Sequence, residues 1–338
     1  MVKKSLILCC LALTIMFACA GIQINLADAE ATAEIAMELE TGTVLTERNA
    51  DIQLPMASTT KVLTAIIIIE DCDLDEVITV PDEAVGAEGS SIYLKKDEQI
   101  DIRDLLYGLM LRSGNDSAAA LAIRHSGSIE KFAVAMNEKA KLIGAENSNF
   151  TNPSGLPDKE HYTTARDLCK IARYAMQNEM FKEIVSTKNY NGKFRNYSNK
   201  NKMLYNYEGA TGVKTGYTVK AGRCLVSSAE RNGMSVVSVV LNCPDMYERS
   251  TELLDYSLNN FRLVKIDENT VFMSDRVLCK ASKMLKFVIK KDEKLDIQVK
   301  PYKDLRNIKR GDLVAELKIS GQNGLILSEN LYSIIDRK

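Results

Sequence analysis

Tryptophan is missing from all 338 residues, and histidine occurs only twice, at His125 and His161. Two imidazoles are too few for a histidine-built metal centre, and no histidine stands in the motifs that carry the chemistry described below, which argues against a Ser-His-Asp triad. Neither sign of charge is in excess. The 44 Lys and Arg residues face 45 Asp and Glu, for a formal net of −1, so no global field draws nucleic acid to the chain. Of eight cysteines, five lie beyond position 30: Cys72, Cys169, Cys224, Cys243 and Cys279. Their wide spacing offers no C-x-x-C step and no zinc pattern. An odd number cannot all pair within one chain, so buried thiols acting as small apolar groups are the expectation. Neither a metal nor a cofactor is implied, and no repeat or low-complexity stretch is present.

What is present begins at the N-terminus. Lys3 and Lys4 precede an apolar run from Leu6 to Ile22, and Ala27-Asp28-Ala29 follows. A positive start, an apolar stretch and a small-x-small site make residues 1–29 a secretory signal peptide. A retained anchor is the alternative, because roughly 17 to 25 apolar residues can span a bilayer. Lipid attachment at Cys19 is a third, poorly matched by Met16-Phe17-Ala18. Each places the remaining chain outside the cytoplasm, and a retained segment would also associate it with the membrane.

Further along, Ala36 to Leu45 around Thr41-Gly42 reads as an edge hairpin. Pro55 precedes Ser58, and the apolar run Val62 to Ile69 predicts a helix starting near Ser58 and buried on several faces. Ile102, Leu105, Leu106 and Leu109 have helical spacing and run into Ser113-Gly114-Asn115, with a second helix through Ala118 to Ile123. Thr164-x-x-Asp167 resembles a capping box. Asn232-Gly233, between Arg223–Glu230 and Met234–Leu241, is the strongest hairpin signal, and a helix from Tyr247 to Phe261 follows. Strands at both ends around a helical middle predict an α+β domain over residues 30–262, its mixed sheet completed by the first and last parts. Short β-type runs at 286–290, 295–299 and 313–317 predict a separate small all-β domain over 263–338.

Three short patterns carry chemistry. Ser58-Thr59-Thr60-Lys61 sets a hydroxyl and an amine three residues apart, on one face of a helix. An amine of lowered pKa can take the serine proton, and a helix N-terminus or a second cation lowers it. The pattern is weak alone, since Ser128 to Lys131 repeats it; there Ser128 is better read as a helix N-cap. Ser113-Gly114-Asn115 adds a hydroxyl and an amide; S-x-N recurs at Ser257 and Ser328. Lys214-Thr215-Gly216 occurs once, before the strand near Arg223. Its cation and hydroxyl can hold a carboxylate, and Gly216 lets a substrate backbone approach. The ordered set is satisfied in only one way, and it is a named catalytic signature.

On these residues the chain resembles the D-alanyl-D-alanine carboxypeptidases, the low-molecular-mass penicillin-binding proteins of the S11 serine peptidase family. The likeness runs from about residue 33 to 262 and includes Phe150 to Leu156, His161 to Asp167 and Ala221 to Leu225. It implies a β-lactamase/transpeptidase-like fold, an antiparallel sheet with a helical insert. It also implies a peptidoglycan stem peptide ending in D-Ala-D-Ala as substrate, with β-lactams as covalent inhibitors. By similarity, Ser58 is the nucleophile, Lys61 its base and Ser113 the proton relay to the leaving D-alanine. Asn115 fixes the peptide or Lys61, Lys214 and Thr215 hold the terminal carboxylate, and Arg249 assists them. The oxyanion hole joins the Ser58 N–H to one after Gly216, assigned by position to Tyr217. His161 is given a structural role. Val219, Lys220 and Arg223 depart from the family pattern. The chain ends at Asn330 to Lys338, without the amphipathic helix by which relatives often bind the membrane. Alternatives are a DD-endopeptidase, a non-catalytic β-lactam sensor, and a class A β-lactamase. That last enzyme needs an E-x-x-L-N glutamate where this chain has Asn152 to Leu156.

Overall fold

The computed structural model describes residues 31–302, 307–322 and 324–337. The expected signal peptide, residues 1–29, lies outside the described residues. Among the described residues no helix is long and apolar enough to cross a membrane.

Strand β1 (Ala33–Glu38) and β2 (Val44–Arg48) form the first hairpin; β1 is buried along its whole length. Helix α1 (Lys61–Asp71) follows a 3-10 turn, Ala57–Thr60. Its middle is apolar on several faces because it is buried on several faces: Val62, Leu63 and Ala65 to Ile68 lie in the inner core, and the buried Thr64 hydroxyl donates to the Pro153 carbonyl. The short pair β3 (Val77–Thr79) and β4 (Gln99–Asp101) leads into α2 (Ile102–Tyr107), whose last turn widens into a π turn over Gly108–Arg112. Then come α3 (Asn115–Ser126), α4 (Ile129–Ile143), α5 (Ala165–Ala175) and α6 (Glu179–Ser186). Side-chain caps open three of them, with Ser128, Thr164 and Asn178 accepting from Lys131, Asp167 and Phe181 backbone N–H groups. The hairpin β5 (Asn189–Asn191) and β6 (Asn196–Ser198) and the one-turn α7 (Met203–Asn206) lead back to the sheet.

Strands β7 (Ala210–Thr218), β8 (Gly222–Arg231) and β9 (Met234–Leu241) complete that sheet in the order β2-β1-β9-β8-β7. Every neighbouring pair is antiparallel, as the family resemblance implies, in place of the mixed sheet read from the order of the strands alone. Short hairpins join β1 to β2, β7 to β8 and β8 to β9, which requires reversal at each. Alternation then divides two cores. Ile35, Cys224, Val226, Val237 and Val239 face the helical layer. Ala36, Leu225, Val236 and Val240 face helix α8 (Met246–Asn260) through Leu253, Leu254 and Leu258.

Beyond α8 the chain is all β. Strand β10 (Phe261–Ile266) pairs with β13 (Leu285–Lys290). Strands β11 (Phe272–Ser274), β12 (Val277–Ala281), β14 (Asp296–Pro301), β15 (Leu313–Gly321) and β16 (Gly324–Ser333) form a second sheet, β11-β12-β16-β15-β14. These strands enclose a core of their own around Phe287, Val314, Leu317 and Leu331. Lys265 and Lys286 reach from them to Glu40 after β1. The five cysteines are free, and four are buried, as small apolar groups would be.

Candidate active site

The 3-10 turn at Ala57–Thr60 and the start of α1 bring Ser58 and Lys61 together, with Lys61 Nζ 3.0 Å from Ser58 Oγ. Lys61 is fully buried. Its amine also lies 2.6 Å from Asn115 Oδ1 and 2.7 Å from the Ser154 carbonyl. Asn115 cannot turn its amide round, because its Nδ2 donates to the Glu88 carbonyl at 2.5 Å. Both of those lysine partners are therefore pure acceptors. A neutral amine has two N–H groups and one lone pair, so satisfying both acceptors leaves the lone pair for Ser58. Burial holds the Lys61 pKa well below the usual lysine range, and the Lys214 cation lowers it further against the opposing pull of Asp116.

Ser113 closes the π turn with a left-handed backbone (φ 65°) and is 8% exposed. Its hydroxyl has no hydrogen-bond partner among the described residues. Asp116, the second residue of α3, accepts from the backbone N–H groups of Ile92 and Leu94 and from the Ser91 hydroxyl, fixing the 90–94 loop beside the site. Lys214 on edge strand β7 pairs with Val226, an inward residue, so its side chain points toward Lys61. Its Nζ donates to the Thr215 carbonyl at 2.9 Å. Burial, reinforced by Lys200, brings its pKa down to about 7. Thr215 pairs with the outward Leu225 and so lies on the other face, at the free edge.

Gly216 also makes room within the protein itself. A Cβ there would stand 3.0 Å from Ser58 N and 3.1 Å from Met56 O. The backbone that needs the space is the protein's own nucleophile turn, packed on β7. Tyr217 follows, exposed on the wall of a cleft of about 500 Å³ that also presents Ser58, Glu88, Asn115, Ser154 and Leu156.

A sequence model of the D-alanyl-D-alanine carboxypeptidases, the S11 peptidases, matches residues 21–245. The chain belongs to that family. D-alanyl-D-alanine carboxypeptidase DacF of Bacillus subtilis is 30% identical over 295 residues, covering 83% of this chain and 75% of the relative. The D-alanyl-D-alanine carboxypeptidase of a Streptomyces species is 35% identical over 246 residues, 65% of this chain and 84% of its own. Penicillin binding protein 5 from Haemophilus influenzae superposes with a TM-score of 0.78 at 28% identity, over 90% of this chain and 97% of that one. The likeness to that structure extends through the β-rich C-terminal region.

One of the expected D-alanyl-D-alanine carboxypeptidase site residues is not brought to the cleft. Arg249 spends its guanidinium on Glu34, through Nε at 2.8 Å and Nη2 at 2.6 Å, and on Glu252 at 2.5 Å. Glu34, Val240, Leu225 and Thr215 lie in one row across the sheet. Three strand steps separate Glu34 from Thr215, about 14 Å. Arg249 is a structural ion pair under α8.

Three contributors were missed. Lys200 adjoins the site, with its N–H donating to the Leu111 carbonyl and its charge felt by Lys214. Ser154 contributes only a carbonyl, which carries no side-chain signature. Gly155 supports the nucleophile turn from beneath: a Cβ there would fall 1.9 Å from Ala57 O. His161 takes the structural place expected of it. Its Nδ1 accepts from Thr151 N–H at 3.0 Å, which leaves Nε2 to donate to Thr60 Oγ1 at 2.8 Å. Burial brings its pKa down to about 4, so it is neutral and adds no cation beside Lys61.

Proposed function

We propose that this chain is a serine D-alanyl-D-alanine carboxypeptidase, removing the terminal D-alanine from peptidoglycan stem pentapeptides outside the cytoplasm. The observation that carries it is the buried Lys61 amine, held by two pure acceptors with its remaining valence on Ser58.

Lys61 takes the Ser58 proton as Oγ bonds to the carbonyl carbon between the two D-alanines. Backbone N–H groups of Ser58 and Tyr217 receive the developing oxyanion. Ser113 passes a proton to the leaving amine, the C–N bond breaks, and D-alanine departs. Lys214, with Thr215 at the strand edge, holds the terminal carboxylate, and Lys200 strengthens the field there. Water, deprotonated by Lys61, then attacks the ester and frees the tetrapeptide and Ser58. A β-lactam enters by the same attack and remains as an ester. Residues 30–262 carry this chemistry. Residues 263–338 serve as a stand that sets the cleft at a distance from the surface to which the chain is held, with the N-terminal segment acting as export signal or anchor.

D-alanine release from a stem pentapeptide, measured for the chain and for Ser58→Ala beside labelling by a fluorescent penicillin, tests this. Release and labelling in the parent alone are expected. Labelling without release would favour an endopeptidase or a sensor, and rapid penicillin hydrolysis a β-lactamase.

A further inference from the structure

The charge of the chain is divided unevenly along its length. Residues 31–262 hold 26 Lys and Arg against 32 Asp and Glu, whereas residues 263–338 hold 16 against 11. The near-zero total therefore hides an acidic catalytic region followed by a basic β region, and a local excess of cations attracts anions whatever the sum over the chain. Within the basic region a hollow of about 320 Å³ lies where the ends of β12 and β16 meet the turn before β15, lined by Lys280, Ser282, Arg310 and Tyr332.

Sheet register and one tight turn build this hollow. Val277, Cys279 and Ala281 of β12 are buried, so Lys280 stands on the outer face, directly opposite Tyr332 of β16. Arg310 comes from a turn closed on itself: Asp312 N–H donates to the Lys309 carbonyl at 3.0 Å, and Lys309 N–H to Asp312 Oδ2 at 2.8 Å. The turn is tied to β16 by Gly311 N–H on the Ser333 carbonyl at 2.8 Å, and the Arg310 N–H donates to Asp336 Oδ1 at 2.8 Å. The backbone of Arg310 is thus anchored while its guanidinium is left over. The side chains of Ser282, Arg310 and Tyr332 have no hydrogen-bond or ion-pair partner among the described residues. Lys280 Nζ has a single long contact, with Asn269 Oδ1 at 3.4 Å. Asp312 and Asp336, the carboxylates of this corner, are both engaged by backbone N–H groups.

Two cations and two hydroxyls around one hollow call for an anion with several oxygens. A guanidinium fork beside an ammonium suits phosphate, whose oxygens point in several directions and accept from more than one side, better than a planar carboxylate. The donors line a concavity, which admits a chain but not the flat face of a bilayer. We propose that this hollow binds the phosphodiester units of a linear anionic polymer, so that the β region grips such a polymer as well as serving as a stand. The contacts are exposed and screened, each worth about two- to fivefold in affinity.

The test is binding of fluorescently labelled poly(glycerol phosphate) to the full chain, followed by anisotropy. The parent is compared with Lys280→Ala/Arg310→Ala and with Lys290→Ala/Lys294→Ala, which removes the same charge from exposed positions elsewhere in the β region. Thermal melts report that each is folded. The first pair should weaken binding about four- to twenty-five-fold and the second about twofold at most, and added salt should weaken the parent. Equal losses in the two pairs would leave only a general attraction to a basic surface and overturn the site. Polygalacturonate bound as tightly as the phosphate polymer would overturn the choice of phosphate. Vesicles containing phosphatidylglycerol, if bound with the same dependence on Lys280 and Arg310, would assign the hollow to a lipid headgroup and overturn the polymer.

Discussion

Replacing Gly155 by alanine tests whether the nucleophile turn is set from below. The new Cβ would lie 1.9 Å from Ala57 O and 2.3 Å from its carbon, at a backbone φ of +85°. Contacts below 3.0 Å are not sustained, so the two backbones must part by about 1 Å. Ala57 itself has φ +48° and immediately precedes Ser58, so it cannot yield without moving the nucleophile. Left-handed backbone costs an alanine about 1–2 kcal/mol, and overpacking adds about 1–3 kcal/mol. We expect Gly155→Ala to melt roughly 5–15 °C lower. Displacing the hydroxyl by about 1 Å should slow acylation by about a hundredfold. The control is Gly144→Ala, at φ +83° with nothing within 4 Å; it carries the backbone cost alone and should acylate normally. Stopped-flow acylation by a fluorescent penicillin and thermal melts of both variants decide the matter. Were Gly155→Ala to acylate as fast as Gly144→Ala, the turn would owe nothing to Gly155.

Asn115→Ala removes the acceptor that occupies one Lys61 N–H and the tie to Glu88; acylation should fall by about a hundredfold or more, about 3 kcal/mol of barrier for a charge-assisted bond lost in a buried site. The pH profile of kcat/KM should rise as Lys61 loses its proton and fall again near pH 7, where free-enzyme Lys214 loses the charge that holds the carboxylate. A peptide ending in an amide should lack that falling limb; if it keeps the limb, Lys214 is not its cause. Stability should carry the signature of His161. With its folded pKa at about 4, below the unfolded value of 6.5, its contribution is complete above pH 6.5 and lost as pH falls toward 4. That window is worth up to about 3 kcal/mol. His161→Gln should lower the melting temperature at pH 7 and flatten this slope between pH 6.5 and 4; an unchanged slope assigns it to other groups.

How much of the site could be read from the sequence depended on what kind of atom each residue contributes. Ser58, Lys61, Asn115 and Lys214 contribute side-chain atoms within short, ordered patterns, and the fold brings them to one place. Arg249 shows the limit of order along the chain: its partner Glu34 is 215 positions away, and nothing local says which face of α8 it will occupy. Ser154 and Gly155 act through a carbonyl and through the lack of a side chain, features that composition cannot announce. Lys200 stands outside any motif and matters only because β6 and the π turn bring it against the segment leading to Ser113. The sheet was expected to be mixed because its strands come from both ends of the domain. Short hairpins make three of the four neighbouring pairs antiparallel, and β1 enters between β2 and β9 antiparallel to both.

The proton inventory explains why the base is Lys61 and the carboxylate holder Lys214, although both are buried amines. Two ammonium groups cannot both persist in one dry site, so the proton belongs to the pair, and its location follows the surrounding dipoles. Lys61 is already complete without it, having two acceptors for two N–H groups and a hydroxyl for the lone pair. Lys214 has one acceptor, the Thr215 carbonyl, and faces the cationic Lys200 side of the site, a position that brings its pKa down to about 7 until an anion arrives. A substrate carboxylate is that anion. Its binding holds the proton on Lys214, while Lys61 stays neutral beside Ser58 as the carbonyl comes within reach. The terminal carboxylate thus fixes the charge on the lysine that recognises it, and a ligand without the carboxylate forfeits that contact while Lys61 remains the base.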